Sequence, residues 1–269
     1  MSSNERTLRA VAHQIAARLP SAGHSPLVAG LCGAQGSGKS TLAAALAVHF
    51  ASIGVPTAIL SIDDLYRTKA DREALARDIH PLLRTRGVPG THDLGLGMAV
   101  FASLDRHRPT SLPRFDKASD DRVSEVEWPL APEEPRLVIF EGWCVGARAQ
   151  ASADLDEPIN SMERIDDPHG TWRRYVNVML ATEYRRLFER LDFQVLLAAP
   201  DFAIVEAWRM EQERELRRRV GAGMADAEIK RFIAHYERLT RHILAEMPGR
   251  ADLVVRLNDT RAPIEIIAH

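Results

Sequence analysis

The chain has 269 residues, 45% of them hydrophobic, which is enough to fill the core of one large α/β domain or two small ones. Lys and Arg total 35 against 37 for Asp and Glu, so the composition favours neither a nucleic-acid-binding nor a membrane-binding protein. The two cysteines cannot build a disulfide framework, and no apolar stretch approaches the roughly 20 residues of a membrane helix, so we expect a cytoplasmic protein.

Apolar spacing predicts the elements of one domain over residues 1–269. An amphipathic helix is expected over 7–19, within an N-terminal helical segment 1–25. Five short apolar runs then predict buried parallel strands, at 27–32, 57–62, 137–140, 193–198 and 253–257. Helical stretches such as 41–53 and 204–219 lie between them, so the expected fold is α/β with a doubly wound, five-stranded, mainly parallel sheet.

Two connections are too long for simple loops. Residues 66–135 and 145–191 are expected to be acceptor-side insertions with helices, which carry substrate specificity. Within the second insertion, 151–170 is rich in Asp, Pro and Ser and predicts a surface excursion, whereas 172–191 returns to helical spacing.

Residues 33–41 read GAQGSGKST and satisfy the phosphate-loop pattern GxxxxGK[ST] between a predicted strand and a predicted helix. Backbone N–H groups of such a loop bind phosphate oxygens, the lysine reaches the outer phosphates, and the serine hydroxyl binds Mg²⁺. The alternative is a chance glycine-rich turn. The motif predicts a P-loop NTPase fold with bound ATP and Mg²⁺, and the candidate nucleotide-binding residues are Gly33, Ala34, Gln35, Gly36, Ser37, Gly38, Lys39, Ser40 and Thr41.

Acidic residues follow two of the predicted strands. SIDDLY (61–66) places Asp63 and Asp64 at the end of the second strand, where a carboxylate could accept the proton of an attacking hydroxyl and help to hold the metal. LVIFEGW (137–143) ends an apolar strand on Glu141, as a Walker B strand does. The alternatives are solvated or helix-capping aspartates and a surface glutamate. We therefore expect Lys39 and Asp63 to be catalytic and Ser40, Asp63 and Glu141 to be metal ligands.

The order of these motifs, followed by an arginine-rich helix, resembles the phosphoribulokinase, uridine kinase and pantothenate kinase group. RGVPGTHD (86–93), PRFDK (113–117), AWRMEQE (207–213) and GMADAEI (223–229) are similar to D-glycerate 3-kinases and their bacterial relatives. The resemblance implies transfer of the γ-phosphoryl group of MgATP to a metabolite hydroxyl, most simply that of D-glycerate. It also implies that Asp63 is the catalytic base and that Asp93 contacts the acceptor.

The candidate acceptor-binding residues lie in three segments of the first insertion. They are Tyr66, Arg86, His92, Asp93, Arg114, Asp116 and Lys117. A turn-rich loop can bring polar side chains over a substrate, and the two cations of PRFDK suit a carboxylated acceptor. The alternatives are that His92 and Asp93 cap the next helix and that PRFDK is surface charge.

The helix that begins near residue 204 is rich in arginine and is followed by two glycines, Gly221 and Gly223, which indicates a lid over about 209–224. Its arginines are Arg209, Arg214, Arg217, Arg218 and Arg219. We select Arg217 as a nucleotide contact, against the alternative of a solvated helix with Glu–Arg pairs. The loop 258–263 is a candidate for contact with adenine.

Other functions remain open from the sequence. The acceptor could be a nucleoside or a pantothenate-like molecule, and the chain could be a regulatory P-loop NTPase that acts on a protein or a degenerate nucleotide-binding module. The sequence lacks the NKxD motif of GTP switches and the LSGGQ signature of transporter ATPases, which disfavours those two classes.

Overall fold

A six-stranded sheet forms the centre of the computed structural model, which describes residues 3–21, 23–220 and 224–269. The strands in these ranges are β1 (Leu27–Gly33), β2 (Thr57–Ser61), β3 (Phe115–Asp116), β4 (Asp121–Arg122), β5 (Leu137–Gly142), β6 (Phe193–Ala198), β7 (Leu253–Leu257) and β8 (Pro263–Ala268). The main sheet has the order β2-β5-β1-β6-β7-β8, and β3 pairs with β4 in a separate antiparallel hairpin.

Helices cover both faces of the main sheet. They are α1 (Ser3–Arg18), α2 (Lys39–Ser52), α3 (Lys69–Asp78), α4 (Leu94–Leu104), α5 (Ser161–Asp166), α6 (Thr171–Met179), α7 (Arg185–Phe188), α8 (Phe202–Val220) and α9 (Asp226–Glu246). None of the helices described is long and apolar enough to cross a membrane.

The five predicted parallel strands are confirmed, and a sixth strand was missed. β8 runs antiparallel to β7 at the edge of the sheet, with Val254 opposite Ile267. Its residues are mostly exposed or half-buried, so it lacks the continuous apolar run by which the buried strands were recognised. The sheet is therefore six-stranded, with five parallel strands.

Alternating side chains of the strands build two cores, one on each face of the sheet. Val28 and Cys32 of β1 point into the core that contains Phe101 of α4, whereas Leu31 points into the core that contains Phe50 of α2. This alternation is the two-residue period of a strand. The strands are buried on both faces because helices pack against each side, which explains their continuous apolar sequence.

The parallel register brings the ends of three strands to one edge. Cys32 of β1 lies opposite Gly142 of β5, and Ser61 of β2 lies opposite Glu141. The segments that follow β1 and β2 therefore meet beside Glu141, and these segments carry the phosphate loop and Asp63.

Most residues of 151–170 are exposed, as expected of a surface excursion, but buried side chains anchor the segment. Glu163 is fully buried and forms an ion pair with Arg238 of α9, at 2.7 Å between Oε2 and Nη2. Asp167 is also buried and forms an ion pair with Arg173 of α6. The polar composition of this segment therefore reflects buried ion pairs as well as surface residues.

The helical spacing seen over 172–191 is confirmed, with one irregularity. The segment forms α6, a π-helical turn (Leu180–Tyr184) and α7 without a break between them. A π-turn inserts one residue into the helical repeat, and Leu180 and Tyr184 at its two ends are both buried.

Replacing Glu163 with Ala should lower the free energy of unfolding by about 3–5 kcal/mol, because it leaves the buried Arg238 guanidinium without its counter-charge. Urea denaturation measures this change. The control is Glu189→Gln, which removes an exposed pair with Arg185 and should cost less than about 1 kcal/mol. Equal decreases in the free energy of unfolding of the two variants would contradict the structural role of the buried pair.

Candidate active site

The phosphate loop closes between β1 and α2 around two glycines with left-handed backbone conformations. Gly36 has φ of 80° and Gly38 has φ of 87°, conformations that favour glycine. A Cβ atom at Gly36 would also lie 2.6 Å from Cβ of Trp208. α2 begins at Lys39 directly after this loop, so its free N–H groups face the loop.

Several buried polar atoms at the loop have no hydrogen-bond partner among the described protein groups. They are Oε1 of Gln35, Oγ of Ser37 and Oε2 of Glu141. Buried polar groups in proteins normally have a partner, so their concentration at the predicted phosphate site indicates a polar ligand.

The oxygens of Ser40 and Glu141 meet beside the loop. Oγ of Ser40 donates a hydrogen bond to Oε1 of Glu141 at 3.1 Å, and the second carboxylate oxygen of Glu141 has no partner. Mg²⁺ commonly binds through one or two protein oxygens together with substrate phosphates and water. The two side chains therefore fit a magnesium ion that a nucleotide brings.

Asp63 lies at the end of β2, with partners on both carboxylate oxygens. Oδ2 accepts a hydrogen bond from Nζ of Lys117 at 2.7 Å, and Oδ1 accepts one from the Tyr66 hydroxyl at 2.8 Å. Burial opposes ionisation, but the positive charges of Lys117 and Lys39 outweigh it and hold the pKa of Asp63 well below its usual range. Asp63 is therefore an ionised acceptor of hydrogen bonds, and Glu141 is the carboxylate with an open oxygen.

A cleft of 780 Å³ joins Asp63 to the phosphate loop. Besides Lys39, the cleft contains three cationic side chains, Arg86, Lys117 and Arg209. The aromatic rings of Tyr66, Trp143, Phe232 and Tyr236 also line it. The cleft therefore combines an ionised carboxylate with several cations beside a phosphate-binding loop.

His92 and Asp93 are not among the residues that line this cleft, and Asp93 alone takes the helix-capping role that was the alternative for both. His92 is fully buried, stacks on Tyr66 at 4.6 Å between ring centroids, and bonds to the Tyr184 hydroxyl. Burial lowers the pKa of His92 to about 3, so this ring is neutral. Asp93 caps α4 through the N–H of Leu96 and pairs with Arg122, so its contact with an acceptor stays a prediction.

The PRFDK segment reaches the cleft through Lys117 rather than through Arg114 or Asp116. Arg114 forms an ion pair with Asp64 at 3.2 Å, and Asp64 also accepts a hydrogen bond from the Phe115 N–H. Asp116 is exposed and accepts hydrogen bonds from the backbone of the following turn. These contacts fix the hairpin, and they give neither side chain a place on the cleft wall.

Among the described side chains of the predicted lid, Arg209 lines the cleft and Arg217 does not, so the nucleotide contact of Arg217 stays a prediction. Arg209 forms an ion pair with Glu213 at 2.7 Å, whereas Arg217 pairs with Asp226 at the start of α9. Gly221 and Gly223 lie outside the described residues. The sequence placed Arg209 in the lid, but nothing in the helical spacing of five arginines distinguished it from the others.

A second cavity of 400 Å³ lies on the other side of the phosphate loop. Ser37, Gly38 and Thr41 of the loop form one wall, and Leu8 of α1 and Arg261 line it as well. Arg261 also donates a hydrogen bond to the Gly36 carbonyl at 2.7 Å. The phosphate loop therefore separates the Asp63 cleft from an apolar cavity, and α1 contributes to that cavity.

Comparison with known proteins identified relatives over most of the chain. An uncharacterized kinase, mug58, of Schizosaccharomyces pombe is 36% identical over 220 residues, 78% of each chain. A chloroplastic D-glycerate 3-kinase of Arabidopsis thaliana is 30% identical over 89% of this chain, which spans 54% of that protein. The structure of D-glycerate 3-kinase from Cryptococcus neoformans superposes with a TM-score of 0.82 at 25% identity, covering 98% of this chain and 99% of that one. No protein-family model matches the chain.

Substitutions of Lys39 and Asp63 should have different effects on nucleotide binding and on kcat. Lys39→Ala should weaken nucleotide binding as well as turnover, because it removes a cation from the phosphates. Asp63→Asn should lower kcat by about 10²-fold or more while nucleotide still binds, because the amide cannot accept the proton. In each variant, steady-state kinetics measure kcat and titration with nucleotide measures binding. Asp105→Asn, which affects a carboxylate paired with Arg190, is the control. Near-normal kcat in Asp63→Asn would remove Asp63 from the chemistry.

Lys117→Met should move the acid limb of the pH profile of kcat/KM to higher pH. The pKa of Asp63 is depressed because the nearby cations outweigh its burial, so removing one cation raises that pKa. Activity that needs ionised Asp63 is then lost at a higher pH as the solution is acidified. An unchanged acid limb in Lys117→Met would show that this ion pair does not set the ionisation of Asp63.

Proposed function

We propose that this chain, which belongs to the D-glycerate 3-kinase-like P-loop kinases, transfers the γ-phosphoryl group of MgATP to the 3-hydroxyl group of D-glycerate. The observation that carries the proposal is the cleft in which Arg86, Lys117 and ionised Asp63 lie opposite the phosphate loop. Such a site suits an acceptor that carries both an anionic group and a hydroxyl.

The donor nucleotide would lie across the phosphate loop. Its γ-phosphate must lie in the cleft that contains Asp63, because the acceptor attacks there. Its base would then lie in the cavity on the opposite side of the loop, between α1, Thr41 and the segment around Arg261. Apolar side chains of Leu8, Leu42 and Leu257 in that cavity suit the faces of a purine.

Ser40 and Glu141 would hold the Mg²⁺ that accompanies the nucleotide. The ion supplies neutralisation of charge on the β- and γ-phosphates when it is bound. Both oxygens of Asp63 are engaged by other side chains, so we assign the open oxygen of Glu141 to the metal or its waters.

The acceptor would bind through its carboxylate and a hydroxyl. Arg86 and Lys117 carry positive charge on the acceptor side of the cleft, and a guanidinium can bind a carboxylate through two parallel hydrogen bonds. Lys117 would then be shared between the acceptor and Asp63. This assignment replaces Arg114, which the Asp64 ion pair holds on the hairpin.

Catalysis would follow from positioning and charge. Asp63 would accept the hydrogen bond of the attacking hydroxyl and receive its proton as the new O–P bond forms and the bond between the γ-phosphorus and the ADP oxygen breaks, releasing ADP. Lys39 and Arg209 lie where they can neutralise charge on the transferred phosphoryl group, which is the largest protein contribution in this class of reaction.

ADP release should depend on D-glycerate in a panel of acceptors at saturating MgATP. The panel contains D-glycerate, L-glycerate, glycerol, uridine and pantothenate, and Asp63→Asn is the inactive control. A site that pairs a carboxylate and a hydroxyl can discriminate by about 10⁴-fold against molecules that lack one of them. Glycerol should therefore be a poor acceptor.

Two other outcomes have separate meanings. Turnover with uridine or pantothenate and none with D-glycerate would overturn the acceptor while leaving the kinase assignment intact. ADP release that no acceptor stimulates would favour a regulatory NTPase.

A further inference from the structure

We propose that Arg72 and Asp120 are positioning residues of the acceptor site, because they hold the hairpin turn that places Lys117 against Asp63. The proposal rests on the proposed function only for its kinetic test. Neither residue was suggested by the sequence, and neither is among the residues that line the cleft.

Arg72 of α3 is a buried cation with a full set of partners, and only 1% of the residue is exposed. Its guanidinium donates hydrogen bonds to the backbone carbonyls of Arg67, Arg84 and Asp120, at 3.3, 2.8 and 2.6 Å. It also lies 3.0 Å from the Asp120 carboxylate. Arg72 thus ties α3 and the segment before Arg86 to the turn of the β3–β4 hairpin.

Asp120 joins this buried cation to the cleft. Its carboxylate contacts Arg72 on one oxygen and Arg86 on the other. Arg86 in turn donates a hydrogen bond to the Lys117 carbonyl at 3.3 Å. Both guanidinium groups also lie over the ring of Phe115, at 5.9 and 5.5 Å from its centroid. The turn 117–120 is therefore held at both ends by two arginines.

The hairpin needs such support because its own ladder is short. β3 and β4 pair over two residues each, and an isolated two-stranded hairpin is marginally stable in water. Asp120 also adopts a left-handed backbone conformation, with φ of 56°, which is uncommon for a residue other than glycine. The contacts of its carboxylate compensate for this conformation.

The position of the turn matters because the pair with Asp63 is the ion pair that holds the exposed Lys117 side chain. Its side chain is 60% exposed, and an exposed ion pair on a flexible side chain contributes little by itself. Fixing the backbone of the turn keeps Nζ close to Asp63 and avoids part of the entropy cost of forming the pair. Releasing the turn should therefore have the same effect as removing the Lys117 charge.

The pH readout depends on every group that faces Asp63. Lys39 of α2 and Lys117 of the hairpin contribute positive charge. The other charged or titratable groups that interact with Asp63 are Asp64, Tyr66, His92, Cys144 and Tyr236. Among these seven groups, Lys117 lies on the hairpin turn. Loss of the contacts that Arg72 and Asp120 make with this turn should therefore change the effect of Lys117 on the pKa of Asp63 and leave the effects of the other groups unchanged.

The kinetic test compares Asp120→Asn, Asp120→Glu and Lys117→Met. Asp120→Asn should raise KM for the acceptor by about 10-fold, leave KM for ATP unchanged, and shift the acid limb of kcat/KM upward as Lys117→Met does. Asp120→Glu should restore part of the wild-type profile. The double variant Asp120→Asn/Lys117→Met should shift the acid limb no further than Lys117→Met alone, because Asp120 influences the ionisation of Asp63 through the position of Lys117. Glu73→Gln, an exposed neighbour on α3 that pairs with Arg84, should behave as wild type.

A second measurement does not require any acceptor. The rate of chemical labelling of the Lys117 amine, followed by mass spectrometry, should increase several-fold in Asp120→Asn and in a folded Arg72→Lys variant, and should be unchanged in Glu73→Gln. Unchanged labelling in Asp120→Asn, or additive shifts in the double variant, would overturn the proposal. Faster labelling in Asp120→Asn, together with no D-glycerate turnover in the wild type, would overturn the assigned acceptor. It would still support the role of Arg72 and Asp120 in positioning Lys117.

Discussion

The ion pair between Lys117 and Asp63 connects the two parts of the molecule on which the site depends. Asp63 belongs to the end of β2 in the central sheet, and Lys117 belongs to the hairpin in the first insertion. The positive charge of Lys117 counteracts the cost of holding a carboxylate in a partly buried place, so Asp63 stays ionised in the cleft beside the phosphate loop. Residues of the insertion thereby form part of the wall of the cleft that contains Asp63.

The phosphate loop is the second constraint, because it divides the space around the strand ends. On one side lie Asp63, Glu141 and the cations of the cleft, and on the other lies the cavity lined by α1 and Arg261. The left-handed glycines let the loop turn tightly enough to face both. A nucleotide laid across it would present its γ-phosphate to the acceptor while its base contacts the N-terminal helix.

The features that the sequence predicted well depend on short stretches of chain. The phosphate loop and Asp63 closely follow apolar strands and Glu141 lies near the end of one, and parallel strands bring these ends together in any doubly wound sheet. The features that it could not predict depend on contacts between distant segments. Arg114 has the charge expected of a carboxylate ligand, but it pairs with Asp64 on a distant segment. Arg209 lines the cleft, whereas Arg217, about two turns further along α8, pairs with Asp226 of α9. β8 was missed because an exposed edge strand has no distinctive apolar run.

The central claim is that donor and acceptor meet between the phosphate loop and Asp63. A crystal structure with a non-hydrolysable ATP analogue, Mg²⁺ and D-glycerate tests it most directly. The glycerate 3-hydroxyl should lie within about 3–3.5 Å of the γ-phosphorus and be hydrogen-bonded to Asp63, with the adenine in the cavity beside α1. Glycerate bound away from Asp63, or the base bound on the same side of the loop as Lys117, would contradict it.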